Sequence, residues 1–402
     1  MTIISSRENE MKHRFFFICC VAICLAAVQN LSAVQFASPT LNYSIDLPDD
    51  FSMTGSNGKD RYQFSSSILP VELLLCTYEN SKYKSAEAVI KDIAQQLYGT
   101  CDSAPFEWRN RDAAIAQISL AFDQYSVNLG WAAAAELPQK KGYVAIIGYY
   151  PESEPDASLC ETLIISSIDS LATDYGSNFE AGLFTSFAFP SEGEKSISLE
   201  IAGRKINTII DQSDEDANQY LIDREYTVLV IENKYGLGQE ACSRFYKTVY
   251  RDAYKRLKHC AFDIQNELTF GENAIKDRRE LAETLLKWTQ GFEYKRDLEG
   301  SDLTSLTGAL TGKGCDCDSR SLLIAVLLRQ MNYRSAFFVS SEYSHAVAGA
   351  ELEGNGARMT IDGTDYMVGE TTAAVKFGQI AKDMSEAEKW MGITFEPKNN
   401  AR

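Results

Sequence analysis

Hydrophobic positions along this chain keep two rhythms, and each change of rhythm marks an element. Leu41 to Leu47 alternates apolar with polar residues as a strand does, and Val71 to Tyr78 follows a turn at Pro70. Ser85 then opens a helix whose apolar positions Val89, Ile90, Ile93, Ala94 and Leu97 share one face, and Gly99 closes it. Three β-rich runs come next: Ala114 to Phe122, Tyr125 to Leu137 and Tyr143 to Tyr150. A second helix starts at Asp156 or Ser158 and buries Cys160, Leu163, Ile164, Ser167, Ile168 and Leu171. Many strands with two helices predict an α/β sandwich built on an antiparallel sheet over residues 39–172. The turn-rich stretch from Thr173 to Asn178 reads as the linker that follows.

The second half, residues 178–402, begins with β-rich segments from Gly182 to Phe189 and from Ser196 to Ile210. Ser213, with Asp216 three residues on, signals a helix start, and that helix runs to about Asn233. A long basic helix follows from about Gln239, with Phe245, Val249, Ala253, Leu257, Cys260 and Ile264 as its apolar stripe. Its Arg and Lys residues read as a solvated face. Another amphipathic helix carries Ile275, Leu281, Leu285, Trp288 and Phe292 and stops around Gly291.

The stretch that organises this half is Gly314-Cys315-Asp316-Cys317-Asp318-Ser319-Arg320-Ser321, which runs into seven unbroken apolar residues, Leu322 to Leu328. Leu and Ala outnumber β-branched residues there, and neither Gly nor Pro interrupts Ser319 to Met331. The reading is a helix, apolar all round and therefore buried on all sides. Cys317 stands at its N-terminus, where free N–H groups and the macrodipole favour a thiolate. After the helix the period changes to two: Ser335 to Ser340 is a strand, His345 to Leu352 another, and Asp362-Gly363 a hairpin turn. Tyr366-Met367-Val368 then leads to Gly369-Glu370-Thr371-Thr372. The order along the chain is a Cys at a helix start, a His at a strand start, and an acid at a later strand's end.

Composition narrows the class. With 402 residues, 45% hydrophobic and 11% aromatic, the chain has enough apolar material for two or three globular cores. A formal net charge of −17 argues against nucleic acid or an anionic membrane as partner. Lys12, His13 and Arg14 precede an apolar run from Phe15 to Val28, and Leu31-Ser32-Ala33 offers a cleavage point. Residues 1–33 therefore read as a signal peptide, with Met11 as the expected start of translation, and the mature protein is expected in the periplasm or secreted, with no stable membrane span. Loss of Cys19, Cys20 and Cys24 leaves seven of the ten cysteines, an odd number. Some of Cys76, Cys101, Cys160, Cys242 and Cys260 are expected in disulfides, although Cys242 and Cys260, read as lying about 27 Å apart on one helix, cannot bond each other. Only His259 and His345 remain as histidines, and His259 sits beside Lys258 without a neighbouring acid.

A cysteine nucleophile needs a base to take its proton and a further group to orient that base. Three pieces of sequence carry the three roles: Asp316-Cys317-Asp318-Ser319-Arg320 with Leu327-Leu328-Arg329, then Tyr343-Ser344-His345-Ala346, then Tyr366-Met367-Val368-Gly369-Glu370-Thr371-Thr372. On these motifs the chain resembles the transglutaminase-like superfamily of cysteine hydrolases and transferases, over roughly Ala274 to Phe395. The resemblance implies an α+β, papain-like domain with a central helix packed on an antiparallel sheet. It also implies a triad of Cys317 as nucleophile, His345 as base and Glu370 as the acid that orients it. Glu370 stands where that family usually has Asp, and Cys315 is an extra thiol. The element order of residues 39–172 resembles a PsbP-like α/β sandwich, which implies a binding or scaffolding role there.

The function expected from the resemblance is an exported peptidase, amidase or transamidase acting on protein or peptide substrates, cell-wall peptides among them. No cofactor or metal is implied. Two other classes fit the same residues. One is a non-catalytic descendant of the fold that binds a partner. The other is a metal site from Cys315, Cys317 and His345, whose Cys-x-Cys spacing falls outside the usual zinc pattern.

Overall fold

A computed structural model describes residues 35–38, 41–79, 83–122, 126–296 and 300–395. Residues 1–33, expected from the sequence to be a signal peptide, lie outside them. The chain divides into two compact units, Met1–Asp174 with Ile231–Glu240, and Tyr175–Val230 with Ala241–Arg402. Both mix helices with antiparallel sheets.

In the first unit β1 (Gln35–Ala37) pairs with β2 (Ser44–Asp46). The main sheet holds β3 (Phe51–Ser56), β4 (Arg61–Ser66), β5 (Glu72–Glu79), β6 (Thr100–Trp108), β7 (Arg111–Leu120), β8 (Asn128–Glu136) and β9 (Gly142–Pro151). Their order is β3-β4-β5-β9-β8-β7-β6, with every pair antiparallel. Helix α1 (Ala86–Gln96), capped by the Ser85 side chain, sets Val89, Ile90 and Ile93 against Ala114, Ala116, Ala132, Ala134 and Ala145. Those alanines are two apart on their strands, so they share one face, and their small size admits the helix backbone. Helix α2 (Ala157–Ser170) covers the opposite face, where a Cβ on Gly148 would lie 2.5 Å from Ile164.

The sequence pattern left out β1, β3, β4 and β6. The strand β6 forms one edge of the sheet, shows alternating exposed and half-buried residues, and carries Pro105. An edge strand tolerates proline because its outward N–H has no ladder partner, and its polar outer face hides the alternation.

The second unit opens with α3 (Leu183–Ala188), β10 (Glu194–Ile201) and β11 (Arg204–Asp211). Here the expected strand over Gly182 to Phe189 is instead a short helix. Leu183, Phe184 and Thr185 are buried in succession, and the segment has no strand partner. Next come α4 (Asp214–Lys234), α5 (Gly238–Arg256) and α6 (Lys258–Thr269). The single basic helix expected from Gln239 is thus two. The chain bends at Leu257 (φ −88°, ψ 0°), and α6 turns to pack on β11. Cys242 and Cys260 therefore lie on different helices. All seven described cysteines are free, so the expected disulfides are not formed.

The rest of the unit is α7 (Arg278–Gln290), α8 (Leu306–Leu310), α9 (Cys317–Gln330), β12 (Ser335–Ser340), β13 (His345–Ala350), β14 (Arg358–Ile361), β15 (Thr364–Gly369) and β16 (Met391–Thr394). The sheet order is β14-β15-β13-β12-β16, antiparallel throughout. Asp362 and Gly363 turn the β14–β15 hairpin with φ of 48° and 77°, both in the left-handed region that a two-residue hairpin needs. Helix α9 lies on β12 and β13, with α6, α7 and α8 around it, and Leu322 to Leu328 are fully buried. Ala346, Ala348 and Ala350, two apart on β13, share one core cluster with Leu322 to Leu328, and their small size lets α9 lie close. No helix among the described residues is long and apolar enough to cross a membrane.

Candidate active site

Asp316 is the N-cap of α9: its Oδ1 accepts the Ser319 N–H at 2.9 Å and the Ser319 hydroxyl at 2.7 Å. That cap fixes where the helix starts and makes Cys317 its first residue. Just upstream, Cys315 is held like a short strand, its N–H on Glu293 O (3.0 Å) and its carbonyl accepting the Lys295 N–H (3.2 Å). One turn in, the buried Arg320 guanidinium donates to Phe292 O (2.6 Å) and Thr371 O (3.3 Å). The Ser321 hydroxyl lies 3.2 Å from Ala346 O and 3.0 Å from Thr371 Oγ1. The helix start is in this way tied to both strand segments that carry the other two candidate residues.

His345 opens β13 after a turn in which Ser344 takes a φ of 48°. Its Nε2 is 2.8 Å from Glu370 Oε2, which leaves Nδ1 as the ring nitrogen free of Glu370. The other Glu370 oxygen accepts the Thr372 N–H and hydroxyl, each at 2.7 Å. Gln290 Nε2 donates to the Glu370 carbonyl at 2.8 Å and anchors the segment from α7. Burial alone would raise the Glu370 carboxyl; the bonds from His345 and Thr372 outweigh it and hold the group below its ordinary value.

The thiol differs from expectation. A helix N-terminus was expected to depress it, yet burial, followed by the Asp318 and Asp316 carboxylates, pushes Cys317 well above an ordinary thiol. Against them the Ala346 N–H, next to His345, stabilises the sulfur. The Cys317 Sγ donates to Asp318 Oδ1 at 3.3 Å, and Asp318 Oδ2 accepts from the Tyr246 hydroxyl of α5. Burial and the neighbouring Asp318 raise Asp316 to about 7, with the Ser319 bonds working the other way. A carboxyl raised on folding contributes stability that is present below its unfolded value and lost as the pH rises through the folded one. Asp316 thus loses this contribution progressively as the pH rises from the ordinary carboxyl range to about 7, and the loss is complete above that. Cys315 is also raised by burial, with Arg320 opposing.

Among the described residues, donor atoms of Asp316, Cys317 and Asp318 come within 4.8 Å of one another. They are not the Cys315, Cys317 and His345 set considered from the sequence. Asp316 Oδ1 is engaged by Ser319, Asp318 Oδ1 by the Cys317 thiol and Asp318 Oδ2 by the Tyr246 hydroxyl. His259 sits on α6 and lines a groove with Ser196, Asn207 and Asp263, outside these contacts. Around the candidate site stand aromatics: Tyr294, half exposed, has the Arg320 guanidinium 5.2 Å from its ring, and Trp390 lies 6.2 Å from the His345 ring. Tyr246 gave no signal in the sequence, since it reads there as one more apolar position beside Phe245.

No protein-family model matches the chain, and no curated protein matches it. Solved structures with some likeness include the Ran-binding protein Mog1p of Saccharomyces cerevisiae, 10% identical over 36% of this chain and 96% of that one, at a TM-score of 0.28. The cyanobacterial PsbP (CyanoP) of Synechocystis sp. PCC 6803 is 11% identical over 37% of this chain and 98% of its own, at 0.27. A protein of Bacteroides thetaiotaomicron is 11% identical over 81% of this chain and 88% of its own, at 0.25.

Proposed function

We propose that the second unit is a transglutaminase-like, papain-like cysteine acyl-transfer domain of an exported protein, with Cys317, His345 and Glu370 as its triad. The observation that carries this reading is the 2.8 Å bond between His345 Nε2 and Glu370 Oε2, directly beside the residue whose N–H meets the Cys317 sulfur. Glu370 holds one tautomer of the imidazole and stabilises its charged form. The other ring nitrogen takes the thiol proton as sulfur attacks a peptide or carboxamide carbonyl. The oxyanion then forms near the free N–H groups at the start of α9, where the Cys317 N–H is the donor proposed here. Collapse expels the amine, which takes the proton back from His345. Water, or a second amine, then releases the acyl group from sulfur and restores the thiol. Peptide or protein substrates, cell-wall peptides among them, fit this chemistry. The first unit serves as a binding or scaffolding module.

The test uses p-nitrophenyl acetate as a simple acyl donor, with intact-mass and peptide mass spectrometry to locate the acetyl group. Acetylation of Cys317 in the wild type is the expected result. The variant Glu370→Gln is expected to acylate about 10²–10⁴-fold more slowly, because the imidazole loses its charged partner while its shape is kept. Thermal unfolding should shift by far less than the rate. If the two fall together in proportion, Glu370 is structural and the triad reading fails.

A second reading is favoured by one observation: the resting thiol donates to Asp318 rather than to His345. On that reading the domain binds a partner without catalysis, and neither wild type nor any variant would acylate.

A further inference from the structure

Cys317 has two possible acceptors for its proton, and they belong to different parts of the unit. His345 comes from β13 and is backed by Glu370. Asp318 follows the cysteine on α9 and is backed by Tyr246 from α5. Tyr246 is itself fixed: its ring is 4.9 Å from Phe245 and 4.4 Å from Phe337. Burial, followed by the Asp318 carboxylate, holds its hydroxyl well above the ordinary tyrosine value, so it stays a donor at every pH of interest.

Resting on the acyl-transfer reading above, we infer that Asp318, clamped by Tyr246, competes with His345 for the Cys317 proton and holds the nucleophile off until that carboxylate is neutralised. With Asp318 charged, a thiolate at Cys317 would place a second negative charge 3.3 Å away in a partly buried site. The thiol therefore stays protonated and keeps its bond to Asp318. Once Asp318 carries a proton the repulsion is gone, and the thiol can give its proton to His345 as an ion pair. The charged and titratable groups facing Asp318 are Tyr246 and Cys242 from α5, His345 from β13, Asp302 from the segment before α8, and Asp316 and Cys317 on its own strand-to-helix turn. Asp302 and Asp316 both oppose a charge on Asp318, whereas Tyr246, Cys317 and His345 favour it. Burial outweighs the latter three, so the Asp318 carboxyl is raised above its ordinary value.

The sign of the effect is unusual. An ordinary thiol reacts faster as pH rises, but here reactivity is expected to fall as Asp318 loses its proton. The measurement is the rate at which iodoacetamide labels Cys317 in the folded, reduced full chain across about pH 5.5–8.5, with fragmentation to separate it from Cys315. Wild type is expected to label faster near pH 6 than near pH 8. Asp318→Asn, isosteric and uncharged, is expected to label about tenfold faster at pH 7.5 and to lose the fall, a tenfold change being one unit in thiol pKa. Tyr246→Phe removes a bond that favours the charged carboxylate, so it should move the fall to higher pH; this variant decides the matter if Asp318→Asn does not fold. Labelling of Asp318→Asn at the wild-type rate and pH dependence, or an unmoved fall in Tyr246→Phe, overturns the inference and leaves Cys317 as nucleophile. Absence of labelling in every folded form at every pH overturns both the inference and the acyl-transfer reading.

Discussion

Cys317→Ala is expected to abolish acylation by p-nitrophenyl acetate, by about 10⁴-fold or more, while leaving the second unit folded. The side chain is 7% exposed and loses only one sulfur, and the backbone around it is set by the Asp316 cap and by α9, not by the thiol. Its neighbour is the sharper control. Cys315 is fully buried, its backbone is bonded on both sides to the Glu293–Lys295 segment, and its side chain faces Arg320. Cys315→Ser should therefore lower stability by about 1–2 kcal/mol, through burial of a hydroxyl in place of a thiol, yet leave acylation within a few-fold. Kinetics and urea unfolding on the same two samples separate the roles. Acylation that survives in Cys317→Ala and is lost in Cys315→Ser would assign the nucleophile to the wrong residue here.

What the sequence made legible follows from which groups carry their structure locally. The hairpin at Asp362-Gly363 and the start of α9 have short-range causes: a pair of left-handed residues and an N-cap. The order of Cys317, His345 and Glu370 along the chain was legible, but the pairing of His345 with Glu370 was expected only from the resemblance to the transglutaminase-like superfamily. Three things were not legible, each for a different reason. The edge strands β3 and β6 expose too much polar surface to alternate cleanly. The bend at Leu257 keeps the apolar stripe of α5 and α6 intact, and periodicity alone does not register it. Most consequential is the Cys317 environment. The helix N-terminus is written in the sequence, but the depth of burial and the approach of Tyr246 from a residue 72 positions away are not. The two acids flanking Cys317 were visible throughout. Their effect depends on whether water screens them, and burial is a property of the fold.

Arg320 ties these observations together and carries the largest expected effect on stability. It is 2% exposed, and its guanidinium joins Phe292 O on the segment after α7 to Thr371 O beside Glu370. Removal of a buried cation has two opposing consequences: the cost of keeping the guanidinium out of water disappears, and two carbonyls lose their donors. Arg320→Met fills much of the same volume without any donor, so its effect reads the balance directly. Each orphaned carbonyl costs about 1–3 kcal/mol, and the fork also positions the segment that holds Glu370. The expected outcome is a loss of about 2–4 kcal/mol in urea unfolding of the second unit, together with slower acylation. Arg320→Lys should recover little of it, because a single ammonium on a shorter stem cannot span both carbonyls as the planar fork does. Tyr294, whose ring lies 5.2 Å from the guanidinium, reports the same event: its fluorescence should become more solvent-like in Arg320→Met at denaturant concentrations where the wild type is still native. An Arg320→Met protein as stable as wild type would mean that desolvation of the cation outweighs both bonds. The helix start would then owe its position to the Asp316 cap and to Ser321 alone.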